Sequence, residues 1–201
     1  MTQPWERPDV PSAFTLAETA RRLGAYRWVE LRLYEAMGAW VPSIPELGVR
    51  VDVGGACRAH AWHAEVWRER FPEAQTFDLD ALTVPAAPAV AELLAAVAAA
   101  TGTLERLVGA YRVVVPRLVA AYTAHLNHTS AAADAPVARS LRLVLSDEVT
   151  AWREGELLVE SLIATPADAT RAAAHLGALE GLLAPAGGLA GPTTLAPRAD
   201  K

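Results

Sequence analysis

Three runs of residues spaced alternately three and four apart constrain this chain most, and each is interrupted by ionisable side chains. The first reads Leu16, Thr19, Leu23, Tyr26, Glu30, Leu33, Met37 and Trp40, with Glu30 its only charged member. The second reads Val49, Val53, Ala56, His60, His63 and Trp67. A later one reads Val137, Leu141, Val144, Glu148, Ala151, Gly155 and Leu158. Apolar residues at that spacing form the core-facing stripe of an amphipathic helix. Stripes of this kind must be buried against one another, so the chain is expected to be all-α. A carboxylate or imidazole within a stripe needs an internal partner, because burying even a neutral polar group alone costs roughly 2–7 kcal/mol. Carboxylates and imidazoles converging between helices are also how helical bundles hold metal.

Capping and breaking signals divide the chain. Residues 1–14, with three prolines and two acids, read as an irregular lead-in. Thr15 with Glu18 forms a capping-box signature opening a helix over 15–40. Pro42 and Pro45 end it, and a second helix spans 47–71 until Pro72. Gly54-Gly55 within it marks a close crossing or a kink. A long crossover over 72–102 contains a short helix at 87–100. A third long helix, 103–127, carries Leu104, Leu107, Tyr111, Val114, Leu118, Ala121 and His125 in register, with Pro116 expected to kink it. Asp134 is placed to cap a fourth helix at 135–164, with Pro136 in its first turn. Thr165-Pro-Ala-Asp168 opens an extra helix at 166–183. Residues 1–183 are thus expected to form a single domain, and 184–201 a flexible tail.

Short connections join antiparallel neighbours, so helices one and two should pair, as should three and four. From a turn near residue 44, Glu30 lies about 14 residues back and His60 and His63 about 16 and 19 forward. At ~1.5 Å per residue they fall within a turn or two of one level. Glu148, about 17 residues past a turn near 131, comes level with Val114, with Tyr111 less than a turn away. His125 lies roughly 16 Å from that layer. With Asn127 and His128 it reads as helix-end capping.

Composition sets the context. The 201 residues are 52% hydrophobic and 20% charged, with a formal net charge of −5. That balance gives no electrostatic case for nucleic acid or an anionic membrane as partner. The single Cys57 cannot close an internal disulfide. The first residues lack the basic region and apolar core of a signal peptide, and the longest apolar run is too short to span a bilayer, so a cytoplasmic location is expected. No phosphate loop, Cys-x-x-Cys pair or nucleophile elbow is present.

Glu30, His60, His63 and Glu148 form the expected metal site, a hard-oxygen and borderline-nitrogen set suited to iron, manganese or zinc. Tyr26, Tyr111, Trp67, Trp152 and Asp147 are expected to line its pocket, with Trp62 also beside the histidines. Asp147 is the alternative ligand to Glu148 should the register slip by one. Tyr26, Tyr111 and Tyr122 read otherwise as core residues with satisfied hydroxyls.

Helix, short loop, helix, long crossover, helix, short loop, helix resembles the ferritin-like superfamily over about residues 15–164. In that superfamily two helices each give a Glu and two others each give Glu-x-x-His. Glu30 matches the first-helix Glu, His63 the histidine of the second helix, and Glu148 the Glu of the fourth. His60 stands where an acid is expected, Ala151 where a histidine is expected, and helix three offers no inward acid. The resemblance implies a ferritin-like four-helix bundle with an incomplete di-iron ligand set, and an iron-dependent oxidoreductase acting on a small molecule. Because an imidazole does not bridge two metals as a carboxylate does, one metal is expected rather than two, with His63 the nearer partner of Glu30. The competing expectation is a metal-free bundle using the same polar pocket for a small ligand or a protein partner. A homodimer is compatible with either.

Overall fold

Leu16–Trp40 (α1) and Leu47–Arg70 (α2) open a computed structural model that describes residues 13–73 and 76–192. They are followed by Leu79–Leu82 (α3), Pro88–Ala98 (α4) and Thr103–Leu107 (α5). A π-helical segment, Val108–Val114, runs from α5 into Val115–Asn127 (α6); then come Ala135–Leu162 (α7) and Pro166–Leu183 (α8). No strand occurs among the described residues. None of the described helices is long and apolar enough to cross a membrane.

The capping signals behave in three different ways. Thr15 accepts the Glu18 backbone N–H, but the Glu18 carboxylate turns to Arg21 and Arg22 instead of reaching back. At α8 the box closes fully: Thr165 accepts from the Asp168 backbone, and Asp168 accepts from the Thr165 N–H. Asp134 does not cap α7; its carboxylate takes the Ser130 N–H of the preceding loop.

Contacts fix the helix pairings. Glu30 meets His60, while Tyr34 and Gly38 both meet Cys57, so α1 and α2 run antiparallel about the Val41–Ser43 turn. The Tyr111 ring lies on Gly155, while Tyr122, further along, reaches the Glu30 carboxylate beside Glu148, which sets the α5–α6 helix antiparallel to α7. The two hairpins meet where α2 packs on α7, and where the Tyr26 hydroxyl on α1 donates to the Ala121 carbonyl on α6 (3.3 Å). The crossover sits tightly on α1, since a Cβ at Gly24 would fall 2.1 Å from the Leu82 carbonyl oxygen. Helix α8 packs on α4 and the π segment, not on α1. A Cβ at Gly109 would come within 3.1–3.3 Å of Val97 and Leu179.

Two expectations change, and the winding before Pro116 takes a specific form. Gly54-Gly55 marks no close crossing, because nothing lies within 4 Å of where a Cβ would stand at either. At Pro116 the missing N–H is absorbed by wider winding just before it: the Val115 N–H reaches back five residues to Ala110. Residues 184–192 are not a loose tail. They continue through a 3-10 turn, Ala184–Ala186, and bury Ala186, Leu189 and Ala190 in the core. The rest of the expected tail, 193–201, and residues 1–12 of the lead-in lie outside the described residues.

Candidate metal centre

Helical periodicity carries the four stripe-breaking residues to one place. Glu30 and Glu148 are fully buried, and His60 and His63 are nearly so. Each offers a donor atom, and these atoms all lie within 4.8 Å of one another. His60 and His63 are three residues apart, so they point about 60° from each other around α2. That difference decides the pairing. The His60 Nδ1 N–H donates to Glu30 Oε2 at 2.6 Å on α1, while His63 Nδ1 pairs with Glu148 Oε1 at 2.9 Å on α7. The cross distances are longer, 3.5 Å for His60 to Glu148 and 3.6 Å for His63 to Glu30. His63 is therefore not the nearer partner of Glu30, contrary to the expectation from the superfamily pattern.

Sequence reasoning missed one member. The Tyr122 hydroxyl on α6 donates to Glu30 Oε1 at 2.5 Å. It holds the carboxylate from the side opposite His60's bond, so Glu30 is anchored through both oxygens. A signal was available: Tyr122 lies four residues past Leu118 and three before His125, in phase with the stripe. The turn arithmetic also ran short. With Arg112 opposite Glu156, Glu148 comes level with about Ala120 instead of Val114, which brings Tyr122 within reach.

Electrostatics follow from this packing. Burial alone would raise the Glu30 carboxyl, but the His60 charge and the bonds from both histidines outweigh it and hold it at about 2. Burial likewise disfavours charge on His63, yet its bonds to Glu148 and Glu30 push it up to about 10. His60 is also raised, by Glu148 and Glu30 acting against burial. Burial and then the Glu30 charge raise Glu148. Its Oε2 is buried without a hydrogen-bond partner among the described residues. Tyr122 is held well above its usual range by burial and then by the two carboxylates.

The surrounding residues separate into wall, bridge and surface. Trp67 and Tyr26 are buried against Tyr122, with ring centroids 5.1 and 4.8 Å from it. Trp62 is 45% exposed, its ring 5.4 Å from His63. Asp147 is half-exposed, and its Oδ2 lies 3.4 Å from His63 Nε2, so it links the cluster to the surface while Glu148 holds the interior position. Tyr111 is buried at the π segment. Trp152 is not a wall of the pocket: it lies about 100° around α7 from Ala151 and is 40% exposed.

His125 is not a capping cation either. It is buried between Phe14 and Tyr26, and burial, with the Arg22 charge, pushes it down to about 3. The adjacent His128 does contact the helix end, at the Ala124 carbonyl. The folded state keeps His125 neutral down to about pH 3, whereas the unfolded chain binds its proton below about 6.5. Stability from this residue should therefore fall as pH drops through that window, by up to about 1.4 kcal/mol per pH unit. Urea unfolding of His125→Phe and the parent from pH 6.5 to 4.5 checks this, with a flatter profile expected for the variant.

No family model matches the chain, and neither the curated proteins nor the solved structures yield a significant match. What fold and site define together is an all-α protein with a buried Glu–His–His–Glu cluster able to hold a metal ion.

Proposed function

We propose that the four long helical stretches form a ferritin-like bundle and that Glu30, His60, His63 and Glu148 hold one transition-metal ion, iron before manganese or zinc. The holo protein would then act as an oxidoreductase on a small molecule. The observation that carries this reading is the convergence of four buried donors from three helices within 4.8 Å. Ligands at about 2.0–2.2 Å from a common centre span up to about 4.4 Å between opposite members, so the set suits one ion after slight contraction. The unpartnered Oε2 of Glu148 supplies a further free donor.

Bound iron would supply one-electron and oxygen chemistry in a compartment closed to bulk water. The protein residues have separate tasks there. Tyr122 fixes Glu30 through a hydrogen bond, and Trp67 and Tyr26 exclude water on that side. Asp147, half-exposed beside His63 Nε2, is placed to pass a proton between the imidazole and solvent. The alternative reading, a metal-free cluster serving a ligand or protein partner, is favoured by the internal pairing of Glu30 with His60 and Glu148 with His63.

Proton release distinguishes the two. In the metal-free cluster His63, pushed up to about 10, is protonated at pH 7, and His60 and Glu148 are raised alongside it. A divalent ion needs both imidazoles neutral and both carboxylates ionised. Loading Fe(II) anaerobically at pH 7 should release at least one proton per ion bound, from His63, measured by calorimetry in buffers of different ionisation enthalpy. Metal uptake without proton release would place the ion elsewhere.

A further inference from the structure

Where Asp147 emerges from the core, α2 and α7 part around a cleft of about 730 Å³. Small residues open it: Gly55, Ala56 and Ala59 on α2, with Ala151 and Gly155 on α7. Ala151 is the position at which a second histidine would have filled this space. Tyr111 contributes the deepest lining. Only 3% exposed, it lies with its ring against Gly155, and its hydroxyl makes no hydrogen bond among the described residues. A hydroxyl left unpartnered on a side chain this largely buried, at the wall of a cleft, is placed to meet a ligand atom.

The rest of the lining gives that ligand its chemistry. Val51, Leu157 and Leu158 provide apolar contact near the mouth. Asp52, Asp147 and Glu154 provide three negative charges against the single positive charge of Arg58. Asp52, Glu154 and Arg58 form no ion pair among the described residues. Both acids share the cleft's lining with Tyr111, and after burial and Glu148 their charges raise its hydroxyl. A field of that sign attracts cations and repels carboxylates and phosphates.

We propose that this cleft binds a small amphipathic amine, its ammonium group donating to the Tyr111 hydroxyl between Asp52 and Glu154 and its apolar body against Val51, Leu157 and Leu158. As the substrate pocket of the metal centre it rests on the reading above. As a binding site it stands on the cleft's own geometry.

Three matched probes test it on the full chain: 2-phenylethylamine, 2-phenylethanol and 3-phenylpropionate, each titrated at equal ionic strength with protein NMR shifts as readout. The amine should saturate, with the alcohol about tenfold weaker and the carboxylate weaker still. In the Asp52→Asn/Glu154→Gln variant, altered only at exposed positions, the preference for amine over alcohol should disappear. Tyr111→Phe should weaken the amine about threefold or more while leaving the alcohol-binding shifts of Val51 and Leu157 in place. Equal affinity for amine and carboxylate, or an amine preference that survives the double variant, would overturn the proposal. Metal content measured on the same samples keeps the two claims apart. Metal bound without amine preference removes the cleft proposal alone, whereas amine preference in a chain that takes no metal upholds the cleft and removes the metal reading.

Discussion

Glu30→Ala should be the most damaging single substitution in this chain, lowering stability by about 3–5 kcal/mol. Glu30 is fully buried and bonded through both oxygens, to His60 at 2.6 Å and Tyr122 at 2.5 Å. Removing it leaves the raised His60 with only the longer contact to Glu148, and strands a buried phenol hydroxyl. For a chain of this size the loss corresponds to a fall of about 10–15 °C in melting temperature. Glu30→Gln should be milder, since an amide oxygen can still accept from Tyr122 or from His60. Thermal unfolding of the metal-free forms of both variants checks this ordering. Equal, small losses would mean that the cluster is loosely held and not a preorganised site.

The second large effect concerns Gly155. A Cβ there would stand 2.1 Å from Cγ of Tyr111 and 2.2–2.6 Å from the neighbouring ring carbons, far inside contact distance. The ring has little freedom to yield, being buried at the π segment. Gly155→Ala is therefore expected to lose about 1–3 kcal/mol, even though alanine is intrinsically the better helix residue by about 1 kcal/mol. The sign separates packing from propensity. Adding Tyr111→Ala should restore part of the loss, a non-additivity that a double-mutant cycle measures directly. Strict additivity would show that the two residues are not packed as described.

The sequence made the helices and the burial of the four polar stripe members legible, because a period of three and four leaves a residue such as Glu30 or Glu148 no other face. Levels along the first hairpin were equally readable, since α1 and α2 wind regularly on either side of a short turn. What periodicity does not encode is direction between neighbours. His60 and His63 share a stripe, yet the roughly 60° between them sends one toward α1 and the other toward α7. Tyr122 was hidden by the second hairpin, where the turn lies later than the loop sequence suggested and the Val108–Val114 segment winds more widely than an α-helix. Trp152 was misplaced for a simpler reason: it sits beside a stripe residue, not on the stripe.

The π segment also bears on the site. It carries Tyr111, whose ring rests on Gly155, and ends two residues before Pro116. Wider winding just ahead of the proline lets one continuous helix present Tyr111 toward the cleft and Tyr122 toward Glu30. Helical segments of this type occur often at functional sites. Here the departure from regular geometry carries Tyr111 and leads into the helix that bears Tyr122.

The central claim is that Glu30, His60, His63 and Glu148 together hold a metal ion, and stoichiometry tests it most directly. The full chain, loaded anaerobically with Fe(II), desalted and assayed by elemental analysis, should retain about one ion per chain, and the His60→Ala/His63→Ala variant less than about a tenth of that. Circular dichroism on the same samples establishes that the variant remains helical. A parent chain retaining less than about a tenth of an equivalent, or a double variant retaining as much as the parent, would contradict the account.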